Sequence, residues 1–272
     1  MRIKNLFLLL LCLVISGQAV AQTKEQRQRL EMMKILHELI SQHKELGYSN
    51  LWEAFATTDW HPATAEHPNG YVWDMYSNVI NENFQAQGSD NSSIEGKVYS
   101  REHTVPQSWF GSAKPMESDL FQIYPVDGKI NSLRNAHPYG EVKTVTSGSA
   151  GNYSKYGPAT AECGSPVPVF EPADEYKGDL ARTYFYMAVC YSDKIDQWTG
   201  EVFGQSPLFA DYPGYPGMTE WALRMFIKWS KNDPVSEKER DRNNAVHKLQ
   251  GNRNPFIDSP GLERFVWADY VE

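Results

Sequence analysis

The sequence predicts an α+β fold, one mixed unit of helices and short strands, on three observations. Runs rich in aromatic and β-branched residues, such as Tyr71-Val72-Trp73-Asp74-Met75-Tyr76, are bounded by polar Gly/Ser/Asn stretches in the manner of strands. Longer segments repeat apolar residues at helical spacing. No internal repeat or linker divides the chain, so residues 22–272 are expected to form a single domain, long enough for one large core or two small ones.

In chain order, residues 1–21 read as a secretory signal: Arg2 and Lys4 form a charged start, Leu6 to Ile15 an apolar run, and Ala19-Val20-Ala21 a small-residue cleavage site before Gln22. The apolar run is well short of the roughly 20 residues a spanning helix needs, so no membrane anchor is expected. The mature protein is placed in the periplasm or outside the cell. Glu25 to Leu46 carries Met33, Leu36, Ile40 and Leu46 on a helical period that stops at Gly47. Leu51 to Thr58 reads as a second short helix, ended before the His61-Pro62 and His67-Pro68 turns. Lys97-Val98-Tyr99 is a strand leading into Arg101-Glu102-His103, after a polar loop from Asn81 to Gly96. Asp127 to Ala136 looks helical in its first half, whereas Gly140 to Pro168 has little period. Lys177 to Asp193 and Met218 to Lys231 are helices, and Ser236 with Glu239 forms a capping box for a helix running to Gln250, stopped by Gly251.

Eight Trp, 15 Tyr and 12 Phe argue for a packed core rather than disorder. Removing Arg2 and Lys4 from 26 basic residues leaves 24 against 34 acidic ones, a mature net charge of −10. Polyanion-binding proteins usually carry a basic footprint, so any such partner must be held by a local patch or a metal. Cys163 and Cys190 would sit in an oxidising compartment, and a disulfide between them is the first expectation. The alternative is two buried apolar thiols, which the apolar stretch Tyr184 to Tyr191 around Cys190 invites.

Glu102-His103 and, further on, Asn131 and Arg134 are the residues with chemistry in them. Cutting a phosphodiester needs an activated water, a neutralised anionic transition state and a stabilised leaving oxygen. A neutral His can take the water's proton, and a hard cation such as Mg²⁺ can do the rest from carboxylate and carboxamide oxygens. Arg134, one turn beyond Asn131, could hold a phosphate oxygen. One objection stands: neighbouring side chains on a strand point to opposite faces, so Glu102 and His103 share a site only if the geometry departs from a flat strand. A surface Glu beside a His that bonds a loop is the bland alternative.

The run Tyr99-Ser100-Arg101-Glu102-His103-Thr104-Val105-Pro106-Gln107-Ser108-Trp109-Phe110, then Met116 to Leu120, then Tyr124 to Arg134, resembles the bacterial endonuclease I family of secreted and periplasmic nucleases. Lys177 to Met187 and Gln250 to Asp258 are similar to it too, in the same order. The resemblance implies a ββα-metal (His-Me finger) nuclease core surrounded by helices. It implies His103 as general base, with Glu102 and Asn131 holding one Mg²⁺ that Mn²⁺ or Ca²⁺ could replace. Members of that family cut DNA, and often RNA, with little sequence preference and leave 5′-phosphates.

Two departures from the family pattern matter. Phe121-Gln122 stands where the family commonly has His or Asn, and a cysteine-bearing insertion with an Arg is reduced to Gly111 to Pro115. Lys114 is the residue there that could supply a transition-state cation. Arg253 is a candidate for phosphate contact, because Arg242 and Lys248 on the preceding helix could form a patch with it. Asn252 and Asn254 read as turn residues, Arg182 as an ion-pairing residue or a functional one, and Tyr184 to Tyr191 as core. The competing function is an exported nucleic-acid or polysaccharide-binding protein whose catalysis has decayed on the same scaffold. A metalloprotease would need a His-Glu-x-x-His helix, which is missing from the sequence. Nothing sets the oligomeric state, and a monomer is the default.

Overall fold

The structure, a computed structural model, describes residues 23–88, 93–198, 209 and 216–271. The predicted secretory signal lies outside them. Helix α1 (Lys24–Ile40) opens on Thr23, whose side chain and Gln26 cap each other, and it buries Met33 and Ile40. It ends six residues before the expected Leu46. Ser41 caps it, His43 turns into the core, and the Lys44 amide pairs with the Gln250 carbonyl, so the chain leaves the helix to satisfy contacts that periodicity does not register. Helix α2 (Leu51–Thr58) keeps its expected bounds.

Strands β1 (Trp60–His61) and β2 (Tyr71–Val72) form a small antiparallel pair. The expected strand to Tyr76 stops at Val72, because Asp74 bends the chain by accepting from the Tyr76 and Ser77 amides. Strands β3 (Tyr99–His103) and β4 (Ile123–Asp127) pair antiparallel, and helix α3 (Gly128–Arg134) follows β4 without a loop. This is a ββα unit. β4 has every residue buried, so it shows no alternation, and Pro125 masks it further. The stretch without period also holds strands: β5 (Ser147–Gly148) and β6 (Lys155–Gly157), joined by β7 (Val169–Glu171) into a three-stranded sheet. Two or three residues are too few to show a period.

Helix α4 (Lys177–Cys190) is the centre of the molecule, buried at every residue from Gly178 to Cys190. A helix apolar all round belongs inside, and α5 (Glu220–Asn232) and α1 pack on it. Tyr184 stacks between Phe209 and Phe226, as expected of core. Helix α6 (Glu237–Gln250) carries the Ser236–Glu239 capping box and stops at Gly251, whose φ of 91° suits glycine. Short helices α7 (Pro255–Asp258) and α8 (Glu263–Val266) close the chain.

The expected disulfide does not form. Cys163 and Cys190 are both free and buried; Cys163 Sγ lies 3.8 Å from Met225 Sδ, and Cys190 donates to the Tyr186 hydroxyl at 3.3 Å. They occupy different parts of the core, so an oxidising compartment has no pair to join. Arg182 is an ion-pairing residue: Nε and Nη2 each meet a carboxylate oxygen of Glu239 at 2.6 Å. No helix among the described residues is long and apolar enough to cross a membrane.

Candidate active site

Asp127 joins β4 to α3. Its Oδ1 accepts from the Lys129 and Ile130 amides and its Oδ2 from the Gly96 amide, so it caps the helix and pins the preceding loop. The helix then lies back on β3: Asn131 Nδ2 donates to Ser100 Oγ at 2.8 Å, and Arg134 Nη1 donates to the His103 carbonyl at 2.9 Å. A cavity of about 600 Å³ opens at this junction, bordered by Arg101, Glu102, His103, Asn131, Arg134 and Gln107 among others.

Three consecutive residues of β3 border one cavity, which a cavity over a single face could not show. On the edge away from β4, Tyr99 bonds to Ala86 and Gly88, and beyond it β3 has no strand partner among the described residues. Side chains from both faces therefore reach the same space, which removes the objection raised by strand geometry.

Glu102 is 3% exposed, and its Oε1 accepts from the Tyr76 hydroxyl at 2.7 Å, Arg134 Nη1 at 2.8 Å and the Tyr139 hydroxyl at 3.4 Å. Burial pushes both phenols well above their ordinary range, so they remain donors. Burial opposes charge on Arg134, but Glu102 and the neighbouring tyrosines outweigh it and hold the guanidinium pKa up. Glu102 is thus a buried carboxyl group held by one guanidinium and two phenol donors. The Asn131 nitrogen is committed to Ser100, which makes its carboxamide oxygen the atom to offer a cation.

His103 is held by a backbone carbonyl. Its Nε2 lies 3.0 Å from the Glu117 oxygen, on the 3-10 turn Met116–Ser118, and the Gln107 amide lies 3.1 Å from the same nitrogen. A carbonyl only accepts, so the proton sits on Nε2 and Nδ1 keeps its lone pair. Nδ1 has no hydrogen-bond partner among the described residues. Burial first, and then the positive charges of Arg101 and Arg134, lower the ring's pKa to about 4 against the opposing pull of the Glu117 carbonyl. The imidazole is neutral at pH 7.

The family model described as Endonuclease I matches residues 30–261, most of the chain. The chain belongs to the endonuclease I family. It is 32% identical to extracellular ribonucleases of Bacillus amyloliquefaciens and of Bacillus subtilis (strain 168), each over 87% of this chain and 72% of the relative. It is 26% identical to an extracellular deoxyribonuclease of Aeromonas hydrophila, over 53% of this chain and 50% of the relative. This endonuclease I homologue is accordingly a nuclease, and a secreted or periplasmic one. Its β3–β4–α3 unit is the ββα core of the family. The decayed-scaffold alternative is set aside.

Family membership, together with a group of donor atoms able to share an ion, supports a metal-dependent nuclease. That group is His43, Asp119 and Cys190, whose ligand atoms lie within 4.8 Å of one another. Its atoms are also engaged in the core. Asp119 accepts from the Tyr186 and Tyr191 hydroxyls, the Phe121 amide and Gln250, and burial keeps the Cys190 thiol protonated.

The four basic residues expected at the substrate each have protein partners in the structure. Arg134 borders the cavity but is 1% exposed, and its two terminal nitrogens meet Glu102, the His103 carbonyl and the Thr104 carbonyl. Arg242 is buried against Asp59, because α6 turns it inward onto β4. Arg253 is forked onto Asp258, both bonds 2.7 Å, and does not border the cavity. Lys114 is exposed, pairs with Glu45 at 2.7 Å and borders a different cavity with Phe110 and Trp198. A sequence shows where a charge sits along the chain but not whether a partner has taken it.

Gln122, one of the two family departures, is fully buried and useful. Its nitrogen donates to the Met116 carbonyl at 2.6 Å and its oxygen accepts from the Val105 amide at 3.3 Å, tying the loop after His103 to the turn that carries Glu117. Gln122→Ala leaves both backbone groups unsatisfied in the interior, at a cost of about 1–3 kcal/mol. A lower unfolding midpoint in a denaturant titration is expected, with slower DNA cleavage because the Glu117 carbonyl loses its support. Unchanged rate and midpoint would show that the bridge does nothing.

Proposed function

We propose that this protein is a single-domain endonuclease with little sequence preference, acting on DNA and RNA and leaving 5′-phosphates. His103 is its general base, and Glu102 and Asn131 hold one divalent cation. The observation that carries this reading is the His103 ring: neutral, its Nε2 committed to a carbonyl, and in the same cavity as a buried carboxylate and a carboxamide oxygen. Relatives named as ribonucleases and as deoxyribonucleases support both substrates.

The residues fit a hard cation. Glu102 offers an anionic oxygen donor and Asn131 a neutral one, the set that suits Mg²⁺ and would also accept Mn²⁺ or Ca²⁺. The buried Cys-containing group fits a softer metal and does not border the cavity. A cation at Glu102 and Asn131 supplies charge neutralisation for the scissile phosphate and its leaving oxygen. His103 Nδ1 takes the proton of the attacking water, and the Glu117 carbonyl on Nε2 steadies the charge that the ring then carries. Arg134 and Tyr76 hold Glu102 in orientation throughout.

Supercoiled plasmid and a structured RNA are incubated with the protein in Mg²⁺, in excess EDTA, and in EDTA overcome by Mg²⁺. Cleavage is expected only in the first and third conditions. Asn131→Ala is expected to raise the Mg²⁺ concentration for half-maximal cleavage by about tenfold or more. Cleavage that persists in EDTA, or an Asn131→Ala protein with the wild-type Mg²⁺ requirement, would remove the metal assignment.

A further inference from the structure

His103 Nε2 has two neighbours that ask opposite things of it. The Glu117 carbonyl lies at 3.0 Å and can only accept, whereas the nitrogen end of the Gln107 carboxamide lies at 3.1 Å and can only donate. One ring nitrogen cannot give its proton to the first and accept a proton from the second. The carbonyl is fixed by the backbone of the turn Met116–Ser118, but a side-chain amide can turn over. Its two ends have nearly the same shape, and the hydrogen bonds around it decide which end faces inward. Gln107 therefore offers its oxygen, not its nitrogen, to the ring.

Local structure puts that oxygen in reach. Pro106, with a φ of −53°, opens the 3-10 turn Gln107–Trp109, and the Gln107 carbonyl accepts from the Phe110 and Ser112 amides at 3.3 and 2.9 Å. The side chain four places after His103 is thereby brought back to the ring, and both residues border the same cavity. The Nε2 proton is then shared between two oxygens, Gln107 Oε1 and the Glu117 carbonyl. The ring also has aromatic neighbours, Tyr48 at 5.6 Å and Phe110 at 6.3 Å between centroids. The aromatic rings confine the imidazole, and the two oxygens fix its proton on Nε2, which leaves the lone pair on Nδ1.

We propose that Gln107 is a positioning residue for the general base: its carboxamide oxygen shares the His103 Nε2 proton with the Glu117 carbonyl and holds the tautomer whose Nδ1 accepts the proton of the attacking water. The inference rests on the reading of His103 as base. The ring gains positive charge as it takes that proton, and a second oxygen on its N–H bonds more strongly as the charge develops. The neutral ring gains less, so the effect falls on kcat rather than on KM.

Full-length Gln107→Leu, Gln107→Glu and His103→Ala proteins are compared with wild type for thermal unfolding and for cleavage of a short DNA duplex in Mg²⁺, with kcat and KM separated. Mildly alkaline buffer keeps the imidazole neutral beside a new carboxylate. Gln107→Leu keeps the bulk and removes the oxygen. It is expected to hold its Tm and lose kcat by about tenfold or more, with little change in KM, the effect of one hydrogen bond to a group that becomes charged. Gln107→Glu restores an acceptor and no donor, so its kcat is expected to return to within about threefold of wild type, while KM rises because the carboxylate repels the nucleic acid. A residue that merely fills space would lower Tm, and Glu would be no better than Leu. Wild-type kcat in a folded Gln107→Leu protein, or in Gln107→Met should the Leu variant fail to fold, overturns the proposal while His103→Ala is inactive. A Gln107→Glu protein as slow as Gln107→Leu overturns it too, since the amide nitrogen would then be what the ring needs. An active His103→Ala protein instead removes the reading beneath it.

Discussion

Replacing His103 by alanine is expected to lower kcat for DNA cleavage by about 10²–10⁴-fold, the range that a positioned general base contributes. Three features set the expectation near the top of that range. Nδ1 carries the lone pair because Nε2 is committed to the Glu117 carbonyl. The ring is neutral at pH 7, its pKa lowered to about 4 by burial and by nearby positive charge. Among the described residues no second imidazole borders the cavity to take over the role. The fold should survive, since the ring stands at the rim of a space that water can fill, and water then covers the exposed Glu117 carbonyl. Rate and stability can therefore be read apart. The circular dichroism melt should stay close to wild type while cleavage falls, and KM should change little because the ring contributes to the transition state rather than to binding. A folded His103→Ala protein that cuts at the wild-type rate would take the base assignment away.

The residues that border the cavity were legible in the sequence to different degrees. Glu102, His103 and Asn131 are a weak signal by side-chain chemistry alone and are legible through the ordered segments that resemble the family, and the structure brings all three to one cavity. What surrounds them was not legible. Tyr76 and Tyr139, which hold Glu102, come from chain segments with no period or motif that ties them to β3. The Glu117 carbonyl is a backbone group, and any residue type at position 117 would supply it. Arg101 has no separate signal in the sequence, since its contact with the Tyr48 ring depends on the turn before α2. The same limit applied to the fold. Helices with a cap at each end, such as α6, were placed from the sequence, whereas β4, buried on both sides, and the two- and three-residue strands leave no pattern to find. α1 shows a third kind of miss: the apolar period continues to Leu46, but the core takes His43 first.

The basic residues teach the same lesson with an energy attached, and Arg242→Ala is the sharpest measure of it. From position in the chain, Arg242 could belong to a phosphate-binding patch with Arg253 and Lys248. In the structure its Nε meets Asp59 Oδ1 at 2.7 Å, its Nη2 reaches the Ile123 carbonyl at 2.8 Å, and its guanidinium carbon lies 3.9 Å from the Tyr124 ring centroid. Asp59 and Arg242 are both buried, so removing the arginine strands a carboxylate inside the protein. Breaking such a pair costs about 3–5 kcal/mol, which in a chain of this length lowers Tm by roughly 6–20 °C. Ile123 is the partner of His103 across the β3–β4 pair, so the damage should loosen the strand behind the base. The competing role makes the opposite forecast. A phosphate contact, once lost, would leave stability alone and flatten the dependence of KM on salt. The expected result is a large fall in Tm with an unchanged salt slope in the protein that remains folded. Stability should return in good part when Arg242→Met is combined with Asp59→Leu, because apolar residues of similar size need no partner. A stable Arg242→Ala protein with a reduced salt slope would return Arg242 to the substrate.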